Sequence, residues 1–239
     1  MDSHLKFVMV FALAAVLSNA NARPTRPFQG ADPCGEPPSP NRTSLRQYLV
    51  IGDSISIGYT PHLVPHINTT FEVQHIHING GNSDRGKTCL THWLGENHWD
   101  FISYNFGLHD IAHDAEQLTL QQYTENMVNI TERLNNTGAK LLWVDTTPVP
   151  NVAVSPERHD SDVKAFNAAV ASILSKYQIP TDDLYGWVEK KCGDGYSSCP
   201  GIQLPKNVHY TPAGYDYLVE SLLVSIHTIF PPPPPPPRH

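Results

Sequence analysis

The sequence predicts an α/β domain in which helices cover both faces of a mostly parallel β-sheet. From Gln47 onward, short runs rich in β-branched and aromatic residues alternate with longer stretches of helical periodicity. Parallel strands need long crossover connections, and this alternation supplies them. No linker or internal repeat divides the middle of the chain, where about two hundred residues suffice for one substantial core. A single domain is therefore expected.

Four strands and three helices are predicted from these patterns. The strands span residues 47–51, 71–78, 101–106 and 140–146, and the helices span 118–134, 161–177 and 212–229. The last helix has Thr211 as its expected N-cap and Pro212 at its first position. Folds of this class bind ligands at the carboxyl ends of their strands. Functional residues are therefore expected in the loops that follow the four strands.

The N-terminal end does not resemble part of a folded domain. Residues 7–17 form a short apolar run behind Lys6, and the small residues that end at Ala22 follow it. This pattern predicts a secretory signal peptide over residues 1–22, followed by an N-terminal extension over 23–46. The apolar run is shorter than the roughly 20 residues of a spanning helix, so neither a membrane anchor nor stable membrane insertion is expected.

The folded domain is expected to span residues 47–230, and the proline-rich residues 231–239 predict an extended polyproline II tail. The tail is either a stiff solvated terminus or a weak ligand for a proline-binding partner. The formal net charge of -7 and the lack of a basic stripe argue against nucleic acid as a partner. The thirteen histidines are scattered without metal-ligand spacing such as HExxH, so no metal site is expected.

Cysteines and glycosylation sequons indicate a protein of the secretory pathway. In an oxidising compartment an even set of cysteines is expected to be bridged, and four cysteines allow three pairings. We favour Cys34 with Cys89, which pins the N-terminal segment, and Cys192 with Cys199, which closes a short Gly-rich loop. The sequons are Asn41, Asn68, Asn129 and Asn135, each followed two residues later by Thr. An extracellular glycoprotein is therefore expected.

The loop after the first predicted strand carries a serine in the segment Gly52-Asp53-Ser54. A serine on a turn eased by Gly52 presents its hydroxyl and its own backbone N–H at the exposed edge of the sheet. The segment is not the nucleophile elbow GxSxG, because Ser56 occupies the position of the second glycine. Serine is also a common helix cap. The tripeptide alone therefore leaves both a nucleophile and a cap open.

Four short segments, taken in order, resemble the four blocks of the GDSL/SGNH hydrolase superfamily. They are GDS at 52–54, GGNS at 80–83, GLHD at 107–110 against the family's GxND, and KNVH at 206–209 against DxxH. The resemblance runs from about residue 48 to about 229. It implies a three-layer, flavodoxin-like α/β/α domain with Ser54 as nucleophile and His209 as general base. It also implies an oxyanion hole formed by the N–H groups of Ser54 and of Gly81, in preference to Gly80, with help from His109.

Two residues depart from the blocks. The third-block asparagine is replaced by His109, which either donates an imidazole N–H to the oxyanion or packs beside the third strand and leaves the hole to backbone donors. The fourth-block aspartate is replaced by Lys206, whose ammonium only donates and cannot orient His209. Three outcomes remain open: Asn207 or a backbone carbonyl orients the histidine, an acid such as Asp194 substitutes, or the site is weakened.

The resemblance implies a secreted serine esterase that transfers an acyl group to water and needs no metal or organic cofactor. Its substrate class is a small-molecule or glycan ester. The sequence has no long apolar lid segment, which favours a small acyl group such as acetyl on a carbohydrate. Two other classes stay open. One is an SGNH-fold extracellular binding protein with weakened catalysis, suggested by the two departures, and the other is a scaffold that acts through the proline tail.

Overall fold

The computed structural model describes residues 32–40, 43–115 and 117–231 of the chain. The predicted signal peptide, the sequon at Asn41 and the proline tail beyond Pro231 lie outside the described residues. Of the N-terminal extension, residues 32–40 and 43–46 are described, so its first part also lies outside.

Five strands form one fully parallel sheet, which confirms the predicted α/β fold class. The strands are β1 Arg46–Ile51, β2 Phe71–His75, β3 Phe101–Tyr104, β4 Lys140–Val144 and β5 Thr181–Asp182. Their order in the sheet is β2-β1-β3-β4-β5, the order of the flavodoxin-like doubly wound fold. The central strands are buried along nearly their whole length, as expected for a sheet covered on both faces.

In the described part of the chain, six helices cover the sheet in two layers. They are α1 Ser54–Ile67, α2 Ser83–Leu94, α3 Leu120–Asn135, α4 Asp160–Tyr177, α5 Leu184–Cys192 and α6 Pro212–Ile229. Helix α6 packs against α1 and α5, whereas α3 packs against α2 and α4. The winding direction reverses after β2, and right-handed crossovers therefore place α1 on one face and α2 to α4 on the other.

Three predicted strands extend too far at their carboxyl ends. In the structure, β2, β3 and β4 end at His75, Tyr104 and Val144, two or three residues before the predicted limits of 78, 106 and 146. The apolar pattern misleads here because residues beyond the sheet, among them Ile76 and Phe106, remain buried beneath the loops. The sequence patterns also gave no α1, α2, β5 or α5, and α1 contains Pro61 and Pro65, which are unfavourable inside a helix. Strand β5 has only two residues and α5 only nine, too few for a clear periodicity.

Both favoured disulfides are present. Cys34–Cys89 joins the N-terminal segment to α2. Cys192–Cys199 joins the end of α5 to a residue seven positions later and so closes a short loop. The sequon asparagines that the structure describes, Asn68, Asn129 and Asn135, are all exposed. None of the helices in the described ranges has both the length and the apolar character that a bilayer crossing requires.

Candidate active site

Ser54 is the first residue of α1, at the carboxyl edge of β1. The capping role belongs to its neighbour: Asp53 is the N-cap, and its side chain accepts the N–H of Ile55 at 2.9 Å. The Ser54 side chain is therefore not needed for the cap and is half-buried at the surface. A side chain on Gly52 would lie 2.6 Å from Ser56 Oγ, and one on Gly80 would lie 2.7 Å from Gly52 O. The glycine at position 80 lets the loop after β2 approach the loop after β1, and the glycine at position 52 leaves room for Ser56.

His209 connects Ser54 to Asn207 through its two ring nitrogens. Its Nε2 lies 2.8 Å from Ser54 Oγ, and its Nδ1 lies 2.7 Å from Asn207 Oδ1. The backbone N–H of His209 donates to the same Oδ1 at 3.0 Å, which orients the amide oxygen toward the ring. An oxygen acceptor at Nδ1 requires the proton there, so Nε2 is free to accept the serine proton. Among the three outcomes left open by Lys206, this geometry corresponds to the first.

Lys206 lies in the same turn as Asn207 and His209. Lys206 is exposed and has a positive φ of 51°, at the tip of a tight hairpin in which Gln203 pairs with Tyr210. The Leu204 N–H donates to His209 O at 2.9 Å and closes the same hairpin. Asp194, the alternative acid, instead pairs with Lys164 Nζ at 2.9 Å.

Burial lowers the pKa of His209, and this is the largest influence on it. The carboxylate of Asp53 opposes the shift, whereas the charges of Arg158 and His109 add to it. A neutral imidazole is therefore favoured near pH 7, which is the form that accepts a proton.

The residues expected to form the oxyanion hole lie in the loops around Ser54, but one of them has another partner. Gly81 has a positive φ of 64°, and its N–H donates to Asn79 Oδ1 at 2.9 Å. Before it could donate to an oxyanion, this hydrogen bond would have to be exchanged or shared. His109 is half-buried in the loop after β3 and acts electrostatically on His209. The loop that holds His109 is therefore close to the Ser54–His209 pair.

Asp110 anchors that loop to the start of α2. Its Oδ1 accepts the backbone N–H of Ser83 at 2.9 Å and the Ser83 hydroxyl at 2.5 Å. Burial raises the pKa of Asp110 to about 7, although both bonds from Ser83 oppose the shift. Asn126 donates to the Ser83 hydroxyl at 3.2 Å and extends the network to α3. The second and third sequence blocks are thereby joined by hydrogen bonds from the backbone and the hydroxyl of Ser83 to the Asp110 side chain.

Two further contacts around the site were not expected from the sequence. Ser56 Oγ lies 2.7 Å from His75 Nε2, so a second serine–histidine pair lies behind the first. Arg158 is buried, and its Nε donates to Leu108 O at 2.6 Å, which joins the loop after β4 to the third block. Neither contact has a local sequence signal, because each joins residues of segments that are separated along the chain. Ser56 was identified only as a departure from the elbow motif.

The parallel sheet, its flavodoxin-like strand order and the four ordered blocks are those of the SGNH hydrolases. The sequence profile of the GDSL-like lipase/acylhydrolase family matches residues 50–217, and the chain belongs to this family. Among curated proteins, none matches the chain significantly in sequence.

Solved structures of similar fold include esterases and acylhydrolases. An acetyl xylan esterase, AlAXEase, is 12% identical with a TM-score of 0.62, over 75% of this chain and 99% of that one. The acetylxylan esterase Axe2 from Geobacillus stearothermophilus is 15% identical with a TM-score of 0.64, over 76% and 94%. A lipase/acylhydrolase from Enterococcus faecalis is 21% identical with a TM-score of 0.63, over 77% and 97%. Similarity at these identities establishes the shared fold.

Proposed function

We propose that the chain is a serine carboxylic ester hydrolase in which Ser54 is the nucleophile and His209 the general base. The observation that carries this proposal is the pair of ring contacts of His209, with Ser54 Oγ at 2.8 Å on one side and Asn207 Oδ1 at 2.7 Å on the other. Nucleophile, base and orienting group are the three parts that nucleophilic catalysis by serine requires. Family membership independently supports an acylhydrolase.

The reaction proceeds through an acyl-enzyme. His209 Nε2 takes the Ser54 proton while the serine oxygen attacks the ester carbonyl, and the resulting imidazolium returns that proton to the departing alcohol. A water molecule then attacks the acyl-serine with His209 again as base, which releases the acid and restores Ser54. Neither step needs a metal or an organic cofactor.

Asn207 acts as a positioning residue in this mechanism. Its amide oxygen holds the proton on Nδ1 and so fixes the tautomer in which Nε2 can accept. An amide is neutral, so it stabilises the imidazolium less than the aspartate of the family block would. The N–H of Ser54 and the imidazole of His109 are the proposed oxyanion donors, and the N–H of Gly81 joins them if the bond to Asn79 is exchanged.

The proposed substrate is an ester with a small acyl group, with acetyl on a carbohydrate as the first candidate. Two of the proteins of similar fold are acetyl xylan esterases, and the sequence lacks a long apolar lid. We further propose that the protein is a secreted glycoprotein. The N-terminal signal pattern, two disulfides and three exposed sequon asparagines support this location.

A fluorophosphonate probe and short-chain aryl esters test the hydrolase proposal. The secreted wild-type protein should be labelled and should turn over the esters, whereas Ser54→Ala should lose both and His209→Ala should lose turnover by about 1000-fold or more. Circular dichroism of each variant checks that the fold is intact.

The second candidate function is binding without turnover by the same fold. The observation that favours it is the Gly81 N–H, which the Asn79 side chain already occupies. Equal background signals from the wild type and both variants would support this candidate and contradict the hydrolase.

A further inference from the structure

The loops after β3 and β4 bring two histidines and a glutamate together outside the proposed active site. His113 Nδ1 lies 3.9 Å from one carboxylate oxygen of Glu157, and His159 Nε2 lies 3.3 Å from the other. One ligand atom from each residue lies within 4.8 Å of the other two. Ligand atoms around a tetrahedral zinc ion lie roughly 3.3–3.5 Å apart, given bonds of about 2.0–2.1 Å. The distance between His159 and Glu157 matches this spacing, and the other ligand atoms would have to approach one another by at most about 1.5 Å.

The backbone around these side chains is held in place. Arg158, between two of the three residues, is buried and binds Leu108 O through Nε at 2.6 Å and Pro156 O through a terminal nitrogen at 3.1 Å. In this extended segment successive side chains alternate, so Glu157 and His159 both point to solvent. The backbone N–H of His113 donates to the backbone carbonyl of Glu157 at 2.9 Å, which holds His113 against the same segment. Little rearrangement is needed to bring the ligands together.

Two details distinguish this cluster from an ordinary group of surface ion pairs. His159 is the N-cap of α4 but its side chain makes no capping hydrogen bond, in a position where Ser, Thr, Asp or Asn is usual. His113 has Asp162 at 3.9 Å from its Nε2, on the side opposite the Nδ1 that faces Glu157. A carboxylate behind a ligating imidazole is the usual outer partner in zinc sites.

We propose that His113, Glu157 and His159 form a zinc-binding site that joins the loop after β3 to the loop after β4. Two imidazoles and one carboxylate are a ligand set that suits zinc and leaves a fourth position for water. Glu157 and His159 also border a cavity of about 850 Å³ between residues 150 and 161, so the ion would lie at its rim. The site does not depend on the proposed hydrolase mechanism.

Zinc titration of the secreted chain, purified without a polyhistidine tag and stripped with chelator, tests the site. Calorimetry should give one equivalent of bound zinc, and zinc should raise the thermal unfolding temperature. Magnesium and calcium should give neither effect, because they prefer oxygen ligands. His113→Ala and His159→Ala should each weaken zinc binding by at least about tenfold, and Asp162→Asn by about tenfold, since even outer partners contribute 10–100-fold.

His98→Ala is the matched control, because His98 also faces a carboxylate, that of Asp100 at 3.6 Å, without belonging to a three-ligand group in the described ranges. It should bind zinc as the wild type does. Glu157→Gln keeps the shape of the side chain and should weaken binding without affecting folding. Absence of zinc binding in the wild type, or equal affinity in the wild type and the His113 and His159 variants, would overturn the site. Repeating the titration with Ser54→Ala, which should bind zinc normally, separates this outcome from failure of the hydrolase proposal.

Discussion

Two serine–histidine pairs lie close together in this molecule, and their hydrogen bonds are nearly equal in length. Ser54 Oγ is 2.8 Å from His209 Nε2, and Ser56 Oγ is 2.7 Å from His75 Nε2. In both pairs the second ring nitrogen faces an oxygen, Asn207 Oδ1 in one and Ile76 O at 2.6 Å in the other. A short serine–histidine contact with an oriented ring is therefore not sufficient to identify a nucleophile.

The pairs differ in access and in the partners of the serine. Ser54 is half-buried at the sheet edge, whereas Ser56 is only 2% exposed. The Ser56 hydroxyl also lies 2.8 Å from Asp53 O, so its single proton has two acceptors. The Ser56 oxygen is packed against Gly52 and bonded to Asp53 O, which leaves little of it available to an ester carbonyl. We infer that the buried Ser56–His75 pair, called the inner pair below, stabilises the turn that presents Ser54.

The largest expected effect concerns Asn207, which orients His209. Asn207→Ala removes the acceptor at Nδ1, and kcat should fall by about 100-fold or more because the ring loses its tautomer and orientation. Asn207→Asp should retain at least wild-type kcat, since a carboxylate also stabilises the imidazolium. Steady-state kinetics with an aryl ester measures both. Wild-type kcat in the alanine variant would show that Asn207 does not position His209.

A somewhat smaller effect is expected from loss of His109, the proposed side-chain donor to the oxyanion. His109→Ala should lower kcat by about 100-fold, the usual cost of losing one donor. His109→Asn restores the amide donor of the family block and should recover most of that loss. Unchanged kcat in both variants would mean that His109 only packs beside the strand.

At the inner pair the effect should be on stability instead of on activity. Ser56→Ala leaves the His75 nitrogen without its partner and should lower the free energy of unfolding by about 1–3 kcal/mol. Urea denaturation measures this, and kcat should stay within about tenfold of the wild type. Thr88→Ala, which removes an exposed hydroxyl bonded to Asp84 O, is the control and should cost no more than about 0.5 kcal/mol. Lost fluorophosphonate labelling in Ser56→Ala would reverse the assignment of the two pairs.

The smallest expected effect is a displacement of the pH profile. His209 accepts a proton only when neutral, and burial lowers its pKa below the ordinary 6.5. The value of kcat/KM should therefore be constant near pH 7 and fall only as pH drops below 6.5, through the lowered pKa. In Asn207→Asp the added carboxylate favours the imidazolium, so the acid limb should move to higher pH. An acid limb above 6.5 in the wild type would contradict the assignment.

Stability should follow the inner histidine over a similar range. Burial lowers the pKa of His75 below 6.5, so protonation favours the unfolded chain. The stabilisation by the neutral imidazole is complete above the unfolded pKa and is lost as pH falls through the folded one. Thermal unfolding of Ser54→Ala against pH measures this without interference from turnover.

The sequence was sufficient to place the proposed site residues that follow strand ends at one edge of the sheet. Ser54 follows the buried strand β1 and Gly81 lies in the loop after the edge strand β2, and parallel strands bring such loops to one edge. The partner of His209 was not decidable in the same way. Asn207, a backbone carbonyl and Asp194 were equally available to it along the chain, and the choice depends on a positive φ at Lys206 and on the hairpin from Gln203 to Tyr210.

The sequence by itself determined the fold class and the family of this protein. Alternating buried runs and helical stretches specify a parallel α/β sheet, and four short blocks specify the family. The tertiary structure decided which side chains from segments separated along the chain meet, as in the Ser56–His75 bond, the Asp110–Ser83 network and the His113, Glu157 and His159 cluster. Periodicity reports which face of an element is buried. Contacts between distant loops depend on backbone turns and close approaches that no local pattern records.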